Sequence, residues 1–168
     1  GMNVFGFCYT AVLPAFGTAA FAASPFQIGL LTAAEPAGAL VTGLALATRR
    51  GVPMRPGLMI GGAAGFMVAL LALPAMPAIL QAVGLLMLGG IGTALFATLQ
   101  TAIPVTTAPP EARSRVLGLV TTCIGMGPVG VLAIGALADA QGPGFAIILM
   151  AALGLLLFAV AAPRTLRR

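Results

Sequence analysis

The stretch GLMIGGAAGFMVALLALP, residues 57–74, contains no charged residue, and from Leu58 to Leu73 it contains no serine, threonine, asparagine or glutamine. About 20 apolar residues in a helix are enough to cross the ~30 Å hydrocarbon core of a bilayer. The rest of the chain is of the same kind, because 60% of its 168 residues are hydrophobic and only 7% are charged. Soluble domains are about one quarter charged, so the composition predicts an integral membrane protein.

Charges, prolines and glycines divide the chain into six apolar runs, which predict one all-α, six-helix transmembrane domain over residues 1–168. The predicted spans cover residues 3–23, 26–48, 57–74, 78–104, 116–138 and 144–162. All eight basic residues are arginines in two loops (49–55 and 107–115) and the tail. Since positive loops face the cytoplasm, we predict a multi-pass protein of the cell (inner) membrane with both termini cytoplasmic.

Several functional classes are disfavoured by the same composition. The net charge of +5 comes from arginines scattered between apolar runs, and not from a solvated basic face, so no nucleic-acid partner is expected. The chain has no histidine, and Cys8 and Cys123 lie far apart in apolar runs, which favours a packing role for both. Without metal ligands or paired carboxylates, we expect no enzyme activity, no metal and no cofactor.

Polar side chains are distributed unevenly among the predicted spans. The third and sixth spans have none, whereas the first, second, fourth and fifth each have several. Helices without polar groups can face lipid on most sides, and those with several favour protein or water as neighbours. The pattern therefore predicts two triplets, each ending in a lipid-facing helix, as in a 3+3 inverted repeat.

The second span contains LLTAAEPAGALV, residues 30–41, with Glu35 well inside an apolar run. A charge near the bilayer centre costs at least ~2.5 kcal/mol. The carboxyl is therefore expected to be protonated part of the time or paired, and none of the spans offers an arginine to pair with it. Intramembrane carboxyls often mark transport paths; the alternative is a protonated glutamate that serves only as a packing element.

Helical spacing places Thr32, Glu35, Gly38 and Thr42 on one face of the second span. Pro36 lacks an N–H, so the Thr32 carbonyl should lose its helical partner and the helix should bend there. We therefore expect a carbonyl, a hydroxyl and a carboxyl to gather at one level, as a proton or cation site.

Two glycine motifs predict close helix packing. GMGPVG, residues 125–130, contains Gly127, Pro128 and Gly130; the proline removes a backbone hydrogen bond and the glycines admit a second backbone. A functional bend and a plain packing kink both fit this motif. In the third span, Gly61 and Gly65 form G-x-x-x-G, for which packing within the bundle is expected, with a dimer contact as the alternative.

Three segments resemble the C-terminal half of major facilitator superfamily transporters, most closely the exporter-like, antiporter-type branch. They are YTAVLPAFGTAAFAASPFQIGLL (9–31), PPEARSRVLGL (109–119) and GMGPVGVLAIGALAD (125–139). Ser114 stands where members usually have glycine. In GALADAQG, Ala140 replaces the arginine of the family motif, so Asp139 is interpreted as a helix-end residue rather than a gating charge.

The resemblance implies a fold of twelve helices in two six-helix halves, of which this chain would supply one. Helices corresponding to its first and fourth spans would line a cavity, the second and fifth would meet the other half, and the third and sixth would lie outside. It also implies that Arg113 and Arg115 help to hold a cytoplasmic gate, although anchoring to lipid headgroups, as expected for the other arginines, is the alternative. A bendable GMGPVG segment would suit alternating access.

These observations predict a half-unit of a secondary active transporter, with proton-coupled export of a small molecule as the expected activity. Glu35 would carry the proton, Thr32 would line the proton and substrate pathway beside it, and Tyr9, Thr10, Gln81 and Gln100 are further candidates for this pathway. Expected partners are membrane lipid, a small-molecule substrate and a second six-helix half, whether upstream in the same chain, in a separate chain or in a second copy. The alternative is a non-transporting membrane subunit or a fragment of a larger transporter.

Overall fold

A computed structural model describes the backbone of residues 1–48 and 55–166 and the side chains of residues 1–48 and 55–162. Every regular element in these residues is a helix. The arginines at positions 49, 50, 164, 167 and 168, which were predicted to anchor the topology, lie outside the described side chains. The α-helices are α1 (Leu13–Phe21), α2 (Pro25–Thr48), α3 (Pro56–Ala72), α4 (Ile79–Thr107), α5 (Arg113–Gly125), α6 (Gly127–Gln141) and α7 (Pro143–Leu166).

Five helical segments of the described chain are long and apolar enough to cross a membrane: α2, α3 with its extension to Ala75, α4, the joined segment Pro110–Gln141, and α7. The chain before α2 adds a sixth if its two parts cross as one bent span. The helix positions agree with the sequence-based spans to within a few residues at most ends. The 3+3 inverted repeat stays a prediction.

The first span is not the single helix that the sequence predicts. Met2–Gly6 is a π-helix and Phe7–Ala11 a 3-10 helix; α1 follows at an angle of 52°. Pro14 explains the break, because it has no N–H and its ring would clash with the Thr10 carbonyl in a continuous α-helix. Instead, Pro14 occupies the first turn of α1, where a missing N–H costs nothing.

The turn between α1 and α2 is closed by local hydrogen bonds. Ala22 adopts a left-handed conformation with φ of 47°, and its N–H donates to the Thr18 carbonyl at 3.0 Å. Ser24 and Gln27 then cap α2 reciprocally: the Ser24 N–H donates to Gln27 Oε1 at 2.8 Å, and the Gln27 N–H donates to Ser24 Oγ at 3.4 Å. This capping box fixes where the second span begins.

Helix α4 lies at the centre of the described bundle, packed most extensively against α2 on one side and α3 on the other. Helix α3 also packs against α7, which in turn contacts α6. The core between them contains large, fully buried side chains, among them Phe66, Met67 and Leu70 of α3. The lack of polar residues in α3 therefore does not make it a peripheral helix within this chain.

Backbone contact between α3 and α4 is made by a glycine pair that the sequence did not single out. A Cβ atom on Gly62 would lie 2.7 Å from the Gly92 carbonyl oxygen, so only glycine allows this approach. Gly61 and Gly65, by contrast, have nothing within 4 Å of such an atom. The prediction that their G-x-x-x-G motif packs within the bundle is wrong, because α3 is rotated so that this face points outward.

The fifth span is interrupted at the predicted glycine–proline motif. Helix α5 ends at Gly125, Met126 forms the junction, and α6 begins at Gly127 with Pro128 in its first turn. A Cβ atom on Gly130 would collide with the carbonyl of Val4, so α6 contacts the backbone of the first span here. The motif thus breaks the helix and also allows close packing.

Candidate functional site

Glu35 lies on the buried face of α2 and is only 8% exposed. It is roughly 15 Å along the helix axis from Pro25 and roughly 20 Å from Thr48, at 1.5 Å per residue. On either side of it along this face, Leu31, Ala34 and Gly38 are also buried. The only acidic residue inside a predicted span therefore faces the protein, at a depth near the middle of α2.

The partner of Glu35 is Thr93 on α4. The Thr93 hydroxyl is hydrogen-bonded to Glu35 Oε1, and it also lies 3.1 Å from the carbonyl oxygen of Gly90. Thr93 is 3% exposed, so both side chains are shielded within the contact between α2 and α4. Burial of two polar groups against each other satisfies at least part of their hydrogen-bonding capacity.

Glycines bring the two helices close enough for this hydrogen bond. A Cβ atom on Gly38 would collide with the Met87 carbonyl, and one on Gly90 would collide with the backbone of Glu35 and Ala39. Neither position could carry a larger residue without moving a backbone. The carboxyl and hydroxyl are therefore placed by direct packing of backbone on backbone, which holds their relative positions tightly.

Tyr9 brings a third polar group to the same region from the first span. Its side chain is 1% exposed and packs edge-on against Phe66, with ring centroids 5.7 Å apart. The hydroxyl is buried without a hydrogen-bond partner among the described residues, and it lies within electrostatic range of Glu35. A buried hydroxyl without a partner is uncommon and marks a place where water or a ligand could bind.

Four of the other pathway candidates are not brought to Glu35. Thr32, Thr10 and Gln81 are exposed, and the hydroxyls of the two threonines donate within their own helices, to Ile28 at 2.8 Å and Phe7 at 2.9 Å. Gln100 is half-buried and lines a separate groove of about 330 Å³ with Cys123. Of the six pathway candidates, Glu35 and Tyr9 alone are buried, and Tyr9 is within electrostatic range of Glu35.

The predicted cluster of polar groups at Pro36 is also wrong. Helix α2 is a single α-helical element through Pro36, and the Thr32 and Glu35 side chains differ in exposure, one facing outward and the other buried. Thr42 donates to the Gly38 carbonyl at 2.9 Å and does not bond Glu35. Since a threonine in a helix can satisfy its hydroxyl on its own backbone, its presence does not require a polar neighbour.

The gating candidates lie in two places. At the end of α4, Arg113 Nε donates to the Ala108 carbonyl at 3.3 Å, so its guanidinium caps the helix. Arg115 lies two residues further along α5 and is exposed. Gly127, Pro128 and Gly130 lie at the start of α6, next to the junction at Met126 and about the middle of the fifth span.

Thr93 is the site residue that sequence reasoning missed. The only signal was its place in GGIGTA, residues 89–94, where three glycines precede the threonine in the fourth span. Glycines at this density indicate close approach by a second helix. The sequence does not show which helix approaches, and without that the pair of Glu35 and Thr93 could not be predicted.

The described residues therefore define a polytopic, all-helical membrane protein with a hydrogen-bonded carboxyl between two of its spans. The model of the Major Facilitator Superfamily matches residues 1–168, and the chain belongs to that family. Membership indicates a transporter-type function, since members of this family are transporters and not enzymes. No curated protein and no solved structure matches the chain.

Proposed function

We propose that this chain is a half-unit of a secondary active transporter that exports a small molecule in exchange for protons, with Glu35 as the proton carrier. One observation supports this assignment above all others: a carboxyl is buried near the middle of a membrane span with a hydroxyl, and not a cation, as its partner. Burial of a carboxyl without a cation favours its neutral form. Such a group can exchange a proton only when the site opens to water.

In the proposed cycle, Glu35 takes up a proton when the α2–α4 contact is accessible from the outer side. It releases the proton on the cytoplasmic side and becomes anionic there, when a cationic or polar substrate can take the place of the lost positive charge. Tyr9, whose hydroxyl has no partner among the described residues, would donate a hydrogen bond to the substrate or to water at this stage. The substrate and the proton thus compete for one site, which couples their opposite movements.

A second six-helix half would complete the transport path. Among the five continuous spans, the fifth and α2 are the least buried against the rest of the described chain, and α4 is the most buried. These two spans are those expected to meet another half. Lipid would cover the remaining outer surface. The protein would lie in the inner membrane of the cell, with the arginine-bearing loop that precedes α5 in the cytoplasm.

The proposal can be tested with inverted membrane vesicles that contain the protein and any partner half expressed with it. After the vesicle interior is acidified, the uptake of a lipophilic cation such as ethidium into the vesicles and the accompanying outward movement of protons are recorded by fluorescence. Glu35→Gln should abolish the movement of protons that depends on ethidium. Glu111→Gln is the matched control, because Glu111 is an exposed carboxyl next to α5 and should leave transport unchanged. Unchanged proton-coupled transport in Glu35→Gln would show that Glu35 does not carry the proton.

A further inference from the structure

Thr93 has one hydroxyl proton and two oxygen neighbours. Glu35 Oε1 and the Gly90 carbonyl oxygen are both within hydrogen-bonding distance of Thr93 Oγ1. A hydroxyl donates one hydrogen bond and can accept two. Both contacts can therefore be hydrogen bonds only if Thr93 donates to one neighbour and accepts from the other.

A backbone carbonyl can only accept, so the donor to Thr93 must be the carboxyl. In the neutral form, Glu35 donates its proton to Thr93 Oγ1, and Thr93 donates to the Gly90 carbonyl. In the ionised form Glu35 has nothing to donate, and Thr93 can satisfy only one of the two oxygens. The arrangement of Glu35, Thr93 and Gly90 thus fits a protonated carboxyl, which makes one more hydrogen bond than a carboxylate would.

The ionisable groups around the site do not change the conclusion that the arrangement fits a protonated carboxyl. Helices α2 and α4 contain no arginine, lysine or histidine, and Glu35 is their only ionisable side chain. The first span contributes Tyr9, which lies within electrostatic range, and Cys8, which is buried. No cation from these elements can balance a carboxylate, so an ionised Glu35 depends on hydrogen bonds from Thr93, from Tyr9 or from water.

We propose that Thr93 is the positioning residue that allows Glu35 to change its protonation state inside the α2–α4 contact. The hydroxyl accepts from the neutral carboxyl while it donates to Gly90, and it rotates to donate to the carboxylate once the proton has left. Gly90 keeps its acceptor role within α4 in both states, so this rotation leaves no backbone group without a partner. The rotation of the Thr93 hydroxyl between these two arrangements is called the hydroxyl switch below. It is a property of this pair of residues, and the inference rests on the proposed function only in the use of the proton for transport.

Without the hydroxyl, the charged form of Glu35 loses its nearest donor. A hydrogen bond to a charged group is about twice as strong as one between neutral groups. Loss of the second Thr93 contact leaves the Gly90 carbonyl its acceptor role within α4, so Thr93→Val should disfavour the carboxylate more than the neutral acid. Valine has nearly the shape of threonine, which keeps the packing between α2 and α4. Glu35 should then stay protonated under conditions in which it ionises in the unaltered protein.

The test is an infrared titration of the purified protein in detergent or lipid. The C=O stretch of the neutral carboxyl is isolated by subtraction of the Glu35→Gln spectrum, and its intensity is followed as the pH rises. In the unaltered protein the band should weaken and disappear as the carboxyl loses its proton. In Thr93→Val it should persist at pH values where the unaltered protein has lost it. Thr93→Ser should restore the original titration, and Thr98→Val, an exposed threonine on the same helix, is the matched control.

Transport measurements separate the two proposals. We expect Thr93→Val to reduce proton-coupled efflux about tenfold or more and Thr93→Ser to retain it, since a permanently protonated carboxyl cannot complete the cycle. If the band titrates identically in Thr93→Val, or is absent from the unaltered protein at every pH, the hydroxyl switch is wrong. If the band depends on Thr93 but Glu35→Gln transports normally, the switch stands and the transport role of Glu35 fails. Should Thr93→Val fail to fold, Thr93→Ala takes its place. Its carboxyl band should likewise persist at pH values where the unaltered protein has lost it, and an identical titration would contradict the proposal.

Discussion

The carbonyl oxygen of Met87 on α4 occupies the position that a Cβ atom on Gly38 of α2 would need. One turn before Gly38 along α2 is Glu35, and about two turns after Met87 along α4 is Thr93, so the glycine contact and the carboxyl–hydroxyl bond belong to one surface. The geometry of the candidate site therefore depends on the absence of a side chain at Gly38. Any atom added there would separate the two helices at the site.

Gly38→Ala should destabilise the protein and weaken the bond between Glu35 and Thr93. The new methyl group meets a backbone atom that cannot rotate away, and overpacking of this kind costs about 1–3 kcal/mol. Thermal unfolding in detergent, followed by circular dichroism, should show a lower midpoint. Gly43→Ala on the same helix is the control, because nothing lies within 4 Å of a Cβ at that position. Equal midpoints for the two variants would contradict the contact.

The sequence predicts the spans well because the cost of polar groups in a bilayer acts on each segment separately. The apolar runs that became α2, α3, α4 and α7 could be recognised without any knowledge of their neighbours. The break of the first span at Val12 was missed because Pro14 lay inside a long run without a charged residue. Hydropathy does not register a missing backbone N–H.

The candidate site was only half predictable for a different reason. Burial of Glu35 follows from the cost of exposing a carboxyl to lipid, which is a property of that residue alone. Its partnership with Thr93 depends on which helices are neighbours and how each is rotated. Thr32 was misjudged because an intrahelical hydrogen bond to Ile28 satisfies its hydroxyl, and Gly61 because a glycine spacing does not fix the rotation of a helix.

Tyr9→Phe should leave the stability of the fold unchanged or slightly higher. The Tyr9 hydroxyl is buried and bonds no described residue, so its removal eliminates a desolvated group without breaking a protein–protein hydrogen bond. The ring and its edge-on contact with Phe66 are retained. Thermal unfolding of the variant should match that of the unaltered protein, whereas proton-coupled efflux should fall if the hydroxyl serves the substrate or water.

The control for this variant is Tyr9→Ala, which also removes the ring. Loss of a large buried aromatic side chain costs about 3–5 kcal/mol, so this variant should unfold at a clearly lower temperature. A large loss of stability in Tyr9→Phe would instead show that the hydroxyl has a partner in the folded protein, such as a bound water molecule.

Ala22→Gly should stabilise the protein. Ala22 has φ of 47°, and a left-handed conformation costs an L-residue roughly 1–2 kcal/mol, most of which glycine avoids. We therefore expect the free energy of unfolding to rise by about 1 kcal/mol, measured by thermal or denaturant unfolding in detergent. Ala19→Gly, within α1, is the control and should lower stability by about 0.5–1 kcal/mol, since glycine is unfavourable inside a helix. A loss of stability in Ala22→Gly would mean that the chain turns differently between α1 and α2.

The proposed orientation in the membrane can be tested with single cysteines in a variant that lacks Cys8 and Cys123. Ser114, at the start of α5, should face the cytoplasm, because Arg113 and Arg115 flank it and positive loops stay on that side. Gln141, at the end of α6, should face the opposite side, roughly one span away. Both residues are exposed. A membrane-impermeant maleimide added to intact spheroplasts should label Gln141→Cys and spare Ser114→Cys, and disruption of the membrane should make both react. Labelling of Ser114→Cys alone in intact spheroplasts would invert the topology, and with it the direction in which Glu35 carries its proton.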